Sequence, residues 1–218
     1  SIFLQQAHWH ACCTMCLVAA RGIPGIGARL NTSLERIEME NNLEGKKIAI
    51  LVANGFEQVE LTAPKEALEA AGAETVIVSP EKGNVKGWNH TEWGHDFKVD
   101  EALSEADPVG FDALLLPGGV MNPDNLRRDP DAQEFVRAFF DNEKPVAAIC
   151  HGPWTLIDAG VARGRRMASY HTIQSDLKNA GVDWRDEEVV VDGKLVTSRK
   201  PDDIPAFNKK MIEVFAGA

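Results

Sequence analysis

The chain has little sulfur and spends it unevenly. Of four cysteines in 218 residues, Cys12, Cys13 and Cys16 stand in the first stretch and Cys150 stands alone in the body. That is no disulfide framework for a chain of this size, and it suits a reducing, cytoplasmic setting. No apolar run approaches the roughly 20 residues of a membrane-spanning helix, so no membrane role is expected. No block of Lys or Arg interrupts a net charge of -10. An acidic surface repels phosphate backbones, so sequence-specific nucleic-acid binding is not expected either. Repeats and low-complexity tracts are missing too. What is present is an ordinary globular composition, 44% hydrophobic and 26% charged, and enough chain for one sizeable core.

Residues 1–38 differ from the rest. They hold no acidic residue before Glu35, no clean helical or strand period, and a loose run Gly22-Ile23-Pro24-Gly25-Ile26-Gly27. His8, His10, Cys12, Cys13 and Cys16 are metal-ligand types, but their spacing fits no closed tetrahedral site and no second Cys pair follows. No metal or cofactor is therefore expected. Arg21 and Arg29 in an acid-poor segment leave a targeting peptide open. The plainer reading is a poorly ordered extension upstream of a natural start at Met39, with residues 39–218 as the domain.

From Lys46 onward, short apolar runs alternate with helical patterns. Lys46–Val52, Thr75–Val78, Ala113–Leu116, Pro145–Ile149 and Arg166–Ala168 read as strands. Gln58–Ala71, Pro130–Asn142, Gly152–Ala159, Thr172–Ala180 and Pro205–Phe215 read as helices, with Gly72 and Gly181 as C-terminal stops. Residues 83–99 read as an excursion of short strands. Asp192-Gly193 joins Val189–Val191 to Leu195–Ser198 as a hairpin. The alternation predicts an α/β domain with a mainly parallel sheet covered on both faces.

In such folds ligands sit beyond the carboxyl ends of the strands. Three segments leave strands there with unusual residues: Asn54-Gly55-Phe56-Glu57, Pro117-Gly118-Gly119 and Cys150-His151-Gly152-Pro153. A nucleophile elbow needs small residues two places to either side, and Ala148 and Gly152 supply them. A Cys at a helix start gains thiolate character from the helix dipole; a buried structural thiol would fit the same pattern. His151 is a candidate base, with His171, His90 and His95 as rivals on spacing alone. Gly118 and Gly119 could offer N–H groups to an oxyanion, or simply make a tight turn. Glu57 opens a helix, and if it points at Cys150 a protonated Glu57 could donate a hydrogen bond to the thiolate.

At these residues the chain resembles the PfpI family of intracellular proteins, called cysteine peptidases, protein deglycases or general stress proteins. The matching pieces are Gly55-Phe56-Glu57-Gln58-Val59-Glu60, Leu116-Pro117-Gly118-Gly119, Ala148-Ile149-Cys150-His151-Gly152-Pro153, Asn179-Ala180-Gly181-Val182 and Val189-Val190-Val191-Asp192-Gly193. They follow in the expected order from about Lys46 to Phe215. The resemblance implies a flavodoxin-like three-layer sandwich related to class I glutamine amidotransferases. It implies Cys150 as nucleophile, His151 as its partner and Glu57 as the carboxyl beside it. It further implies Asp124, where many relatives carry Glu, reaching His151 from a neighbouring subunit, and Tyr170 lining the pocket. The expected substrates are small carbonyl compounds such as methylglyoxal and glyoxal, or modified or unfolded proteins. Peptide hydrolysis and a non-enzymatic redox-sensing or chaperone role are the alternatives. A homo-oligomer (dimer, trimer or hexamer) is expected.

Overall fold

The structure, a computed structural model, describes residues 42–218. The N-terminal extension, its His and Cys cluster and the boundary at Met39 lie outside the described residues. The strands are β1 (Lys47–Leu51), β2 (Phe56–Glu57), β3 (Glu74–Ser79), β4 (Asn84–Asn89), β5 (Glu92–Lys98), β6 (Glu101–Ala102), β7 (Ala113–Leu116), β8 (Val146–Ile149), β9 (Arg166–Met167), β10 (Asp183–Trp184), β11 (Val189–Asp192) and β12 (Leu195–Ser198). The helices are α1 (Gln58–Ala70), α2 (Met121–Leu126), α3 (Pro130–Asp141), α4 (Pro153–Asp158), α5 (Gln174–Asn179) and α6 (Ile204–Ala216).

Seven strands form one sheet in the order β11-β12-β8-β7-β1-β3-β6. Every pairing in it is parallel except the β11–β12 hairpin, whose turn carries Gly193 at φ 62°. Strands buried on both faces must be apolar throughout, and β7 (ALLL) and β8 (VAAI) are buried at every position. Alternation sends successive residues to opposite faces. Ala49 and Leu51 of β1 therefore join a core with Phe135, Val136 and Phe139 of α3 and Leu156 of α4. Ile48 and Ile50 join the opposite core, with Leu61 and Leu68 of α1 and Phe207, Met211 and Phe215 of α6. This is the expected three-layer α/β sandwich. No helix among the described residues is long and apolar enough to cross a membrane.

Three details depart from the sequence reading. The stretch after Gly119 forms the short helix α2. The helix expected at Thr172–Ala180 begins as a 3-10 turn, His171–Ile173, before α5. Residues 83–99 form the β4–β5 hairpin, which pairs with β2 rather than with the main sheet, placing Glu57 opposite Trp88. That pairing stands the hairpin over the ends of β1, β7 and β8, where the three unusual segments meet.

Candidate active site

Cys150 directly follows β8 and lies in the left-handed region, at φ 62°. That backbone is uncommon for a residue with a Cβ and is held only when its surroundings over-determine it. They do: Cys150 N–H donates to Ser198 O (3.1 Å), and Cys150 O accepts from Tyr170 N–H (2.8 Å). The sharp turn brings backbones together. A Cβ on Gly152 would lie 2.5 Å from Leu116 O, and one on Gly118 would lie 2.6 Å from Glu60 Oε2 and 2.7 Å from Cys150 Cβ. Of the two small residues expected around the elbow, Gly152 is thus required sterically.

The turn after β7 is fixed by a side chain that sequence reasoning missed. Asn122 of α2 is fully buried. Its Nδ2 donates to Pro117 O (2.8 Å) and Gly118 O (3.1 Å), and its Oδ1 accepts from Ala53 N–H (2.7 Å). One amide therefore ties the end of β1 to the glycine turn. Gly118 N–H is then donated to Glu60 Oε2 at 2.9 Å. This corrects the expectation for Gly118, since its N–H is already spent on Glu60.

The carboxyl beside the sulfur also differs from the expectation. It belongs to Glu60, not Glu57. Glu57 ends β2 with extended backbone (φ -63°, ψ 117°), outside α1, and its Oε1 turns toward the hairpin, 3.4 Å from His90 N and 3.9 Å from His90 Nδ1. Glu60 lies in the first turn of α1 and is fully buried. Glu57 still lines the cavity, at its mouth. Pro64 removes the helix N–H that would have bonded Glu60 C=O.

Among the candidate histidines, His151 is the one whose ring meets the sulfur. Its Nδ1 is 3.2 Å from Cys150 Sγ and its Nε2 is 3.1 Å from Thr172 Oγ1. Tyr170 stacks on the ring (centroids 4.9 Å apart, 28° between planes) and Trp154 flanks it at 5.8 Å. Of the rivals, His171 sits beyond Tyr170 and His90 lies at the cavity rim beside Glu57. His95 is exposed, with its N–H on Gln58 Oε1. Asp124 lies on the exposed face of α2 and makes no hydrogen bond to His151 within the described residues.

Burial sets the electrostatics. It pushes Glu60 up to about 8, against hydrogen bonds with Cys150 and Gly118 that pull down. Burial, and then Glu60, push the Cys150 thiol well above its usual value, while the Gly119 and His151 N–H groups pull it down. The expected lowering by the helix dipole does not dominate: α4 has only six residues and the sulfur is buried beside a carboxyl. Two acids this close lose their protons as a pair. Below pH about 8 Glu60 keeps its proton, and the acid then offers the sulfur a donor rather than a like charge. Burial and the charge of His171 push His151 down to about 4, so its ring is neutral near pH 7.

These groups open onto a cavity of about 630 Å³ lined by Gly55, Glu57, Trp88, His90, Val120, Met121 and Tyr170 along with Cys150, His151 and Glu60. Cys150 is only 6% exposed, and what it exposes faces this space. The space is large enough for a small molecule, and the sulfur is shielded from bulk water. Tyr170 lines this cavity, and Glu60, Asn122 and Thr172 lie at or beside it without having been singled out in the sequence.

The DJ-1/PfpI family profile matches residues 46–214, from the start of β1 into the last turn of α6. General stress protein 18 of Bacillus subtilis is 46% identical over 170 residues, covering 77% of this chain and 96% of that protein. Deglycase PfpI of Pyrococcus furiosus is 46% identical over 168 residues, covering 77% and 98%. Among solved structures, Drosophila melanogaster DJ-1beta superposes with a TM-score of 0.72 at 27% identity, covering 79% of this chain and 91% of that one. With a match spanning nearly all of the sandwich and every segment of the elbow, the chain belongs to the DJ-1/PfpI family.

Proposed function

We propose that the protein is a cysteine-dependent hydrolase acting on methylglyoxal, glyoxal or their adducts on proteins. The observation that carries this reading is the sulfur of Cys150 lining a cavity of about 630 Å³, with His151 Nδ1 at 3.2 Å. The relatives named deglycase and general stress protein support it.

The chemistry follows from the groups present. As the sulfur forms a C–S bond to the carbonyl carbon, its proton passes in the same step to His151 Nδ1, so that no free thiolate has to accumulate. The carbonyl π pair moves to oxygen, where Gly119 and His151 N–H groups can stabilise the charge. His151 returns its proton to that oxygen, giving a hemithioacetal. With methylglyoxal, a proton shift from the aldehyde carbon to its neighbour then yields a thioester of lactate, which water cleaves. The aldehyde carbon is oxidised and the ketone carbon reduced, so no outside oxidant is needed. The natural setting proposed is the cytoplasm, with the protein assembled as a homo-oligomer.

A second reading is favoured by one observation. Glu60, protonated below about pH 8 and facing Cys150, could donate to a sulfinate formed there by peroxide. Side-by-side assays with methylglyoxal, a glycated thiol and a peptide, with Cys150→Ala as the blank, test the primary reading. Lactate or released thiol only from wild type supports it. Cleavage of the peptide alone favours a peptidase, and Cys150 oxidation at low peroxide with no turnover favours the sensor.

A further inference from the structure

We propose that a second, non-catalytic site, for a small oxyanion (a carboxylate or a phosphate), lies between Arg165 and Lys194 at the opposite end of the sheet from Cys150. A cavity of about 410 Å³ opens there, lined by Phe140, Glu143, Lys144, Arg165, Lys194 and Leu195. Lys144 stands two residues before β8, Lys194 directly before β12 and Arg165 directly before β9. The cavity therefore sits where strands begin, whereas the elbow sits where β8 ends. Three cations face one carboxylate in it, on a chain whose net charge is -10.

The three cations differ in what the fold already asks of them. An ammonium has three N–H donors, and those of Lys144 are met by three carbonyls, Pro108 O and Val109 O at 2.9 Å and Phe111 O at 2.6 Å. Lys144 gives the cavity charge but no donor. Arg165 is anchored: its Nε donates to Val161 O at 2.8 Å, and its guanidinium lies 4.6 Å over the Phe140 ring. Its two Nη groups make no hydrogen bond among the described residues, so a fork of donors is held in place before a ligand arrives and loses little freedom on binding. Lys194 follows Gly193 in the hairpin turn and makes no side-chain hydrogen bond or ion pair among the described residues. Other arginines find carboxylates: Arg127 with Asp158, Arg185 with Asp183, Arg199 with Asp186 and Asp203. An oxyanion supplies what is missing here. Its oxygens match the guanidinium fork bidentately, and the ammonium of Lys194 adds a second point of charge. Like charges gathered in one cavity repel, and the anion offsets that repulsion.

The test titrates the full chain with inorganic phosphate and, separately, with succinate, at ionic strength held constant with sodium chloride. Nitrogen-15 amide shifts at Arg165, Lys194 and Leu195 should move and saturate with at least one probe, and the probe that binds tells a phosphate site from a carboxylate site. Arg165→Gln should weaken that binding about tenfold, the scale of one charge-assisted hydrogen bond. Lys194→Gln, at an exposed turn position that the core does not depend on, should weaken it by a similar factor. Glu143→Gln should tighten it several-fold by removing the opposing charge, a direction that a purely structural role does not produce. Overturning results are amides at Arg165, Lys194 and Leu195 that stay still with both probes, shifts that follow salt alone, shifts confined to Gly119 and His151, Lys194→Gln binding like wild type, or Glu143→Gln binding more weakly. None of these readouts depends on turnover at Cys150.

Discussion

Glu60 shows how a single carboxyl can be both legible and overlooked. The buried stripe of α1 runs Glu60, Pro64, Leu68 at intervals of four. Extending the apolar face back from Leu68 lands on Glu60, but an acidic residue in that stripe reads as solvated until its partners are seen. Its burial has a measurable consequence. Above pH 4.5 the unfolded chain releases this proton, whereas the native state keeps it to about 8. The unfolded state then binds fewer protons, so stability falls as pH rises across that window. His151 acts oppositely between about 4 and 6.5, where only its unfolded form is charged. From pH 6.5 to 8 the slope of Glu60 stands without that offset. Urea unfolding should show wild type losing stability across that interval, and Glu60→Gln, which keeps the acceptor for Gly118 N–H, losing much less. Equal slopes would show that Glu60 is ionised throughout. Thr172 carried no sequence signal at all, because nothing local says that a hydroxyl 21 residues after His151 returns to it.

At the scale of elements, the elbow was readable because its constraint is local: Ala148, Cys150 and Gly152 lie on one short stretch, and steric approach leaves no room for a side chain at Gly152. The glycine turn was only half readable. Pro117-Gly118-Gly119 announces a turn, but what holds it is Asn122 in α2, a six-residue helix containing Pro123 and too short to show a period. Asn122→Ala would orphan Ala53 N–H and two carbonyls in the interior. A loss of about 3 kcal/mol is expected from three such bonds, with a fall in Cys150 reactivity as Gly119 loses its place. Denaturation together with alkylation checks both, and a variant as stable as wild type would mean that the turn holds itself. The β4–β5 hairpin was read only as short strands, since its partner is β2, a two-residue strand. Its Trp88 lines the cavity. Trp88→Ala should raise KM for carbonyl substrates several-fold with little change in kcat, and steady-state kinetics would expose the reverse pattern if the hairpin instead aligns the chemistry.

At the scale of the whole molecule, the sandwich was legible because the central strands are continuous apolar runs that only a doubly covered sheet can bury. The register and order of that sheet bring the ends of β1, β7 and β8 side by side, and with them Asn122, Gly119 and Cys150 from distant parts of the chain. What pattern alone did not supply was which carboxyl, of two spaced three apart, the start of α1 would turn inward. The surface leaves Val120 57% and Met121 37% exposed at the rim of the cavity. With Asp124 of α2 they form the face that the proposed homo-oligomer would present to a second copy. Sedimentation at micromolar concentration should give a mass that is a multiple of 23.8 kDa; a lone species of that mass would rule out the proposed oligomer.

The most direct measurement is the rate of lactate formation from methylglyoxal by wild type and by Cys150→Ser, both confirmed folded by circular dichroism. If the Cys150 sulfur forms the bond to the carbonyl, the serine protein should fall to the uncatalysed rate while wild type turns over. Equal rates in the two proteins would show that this thiol performs no carbonyl chemistry.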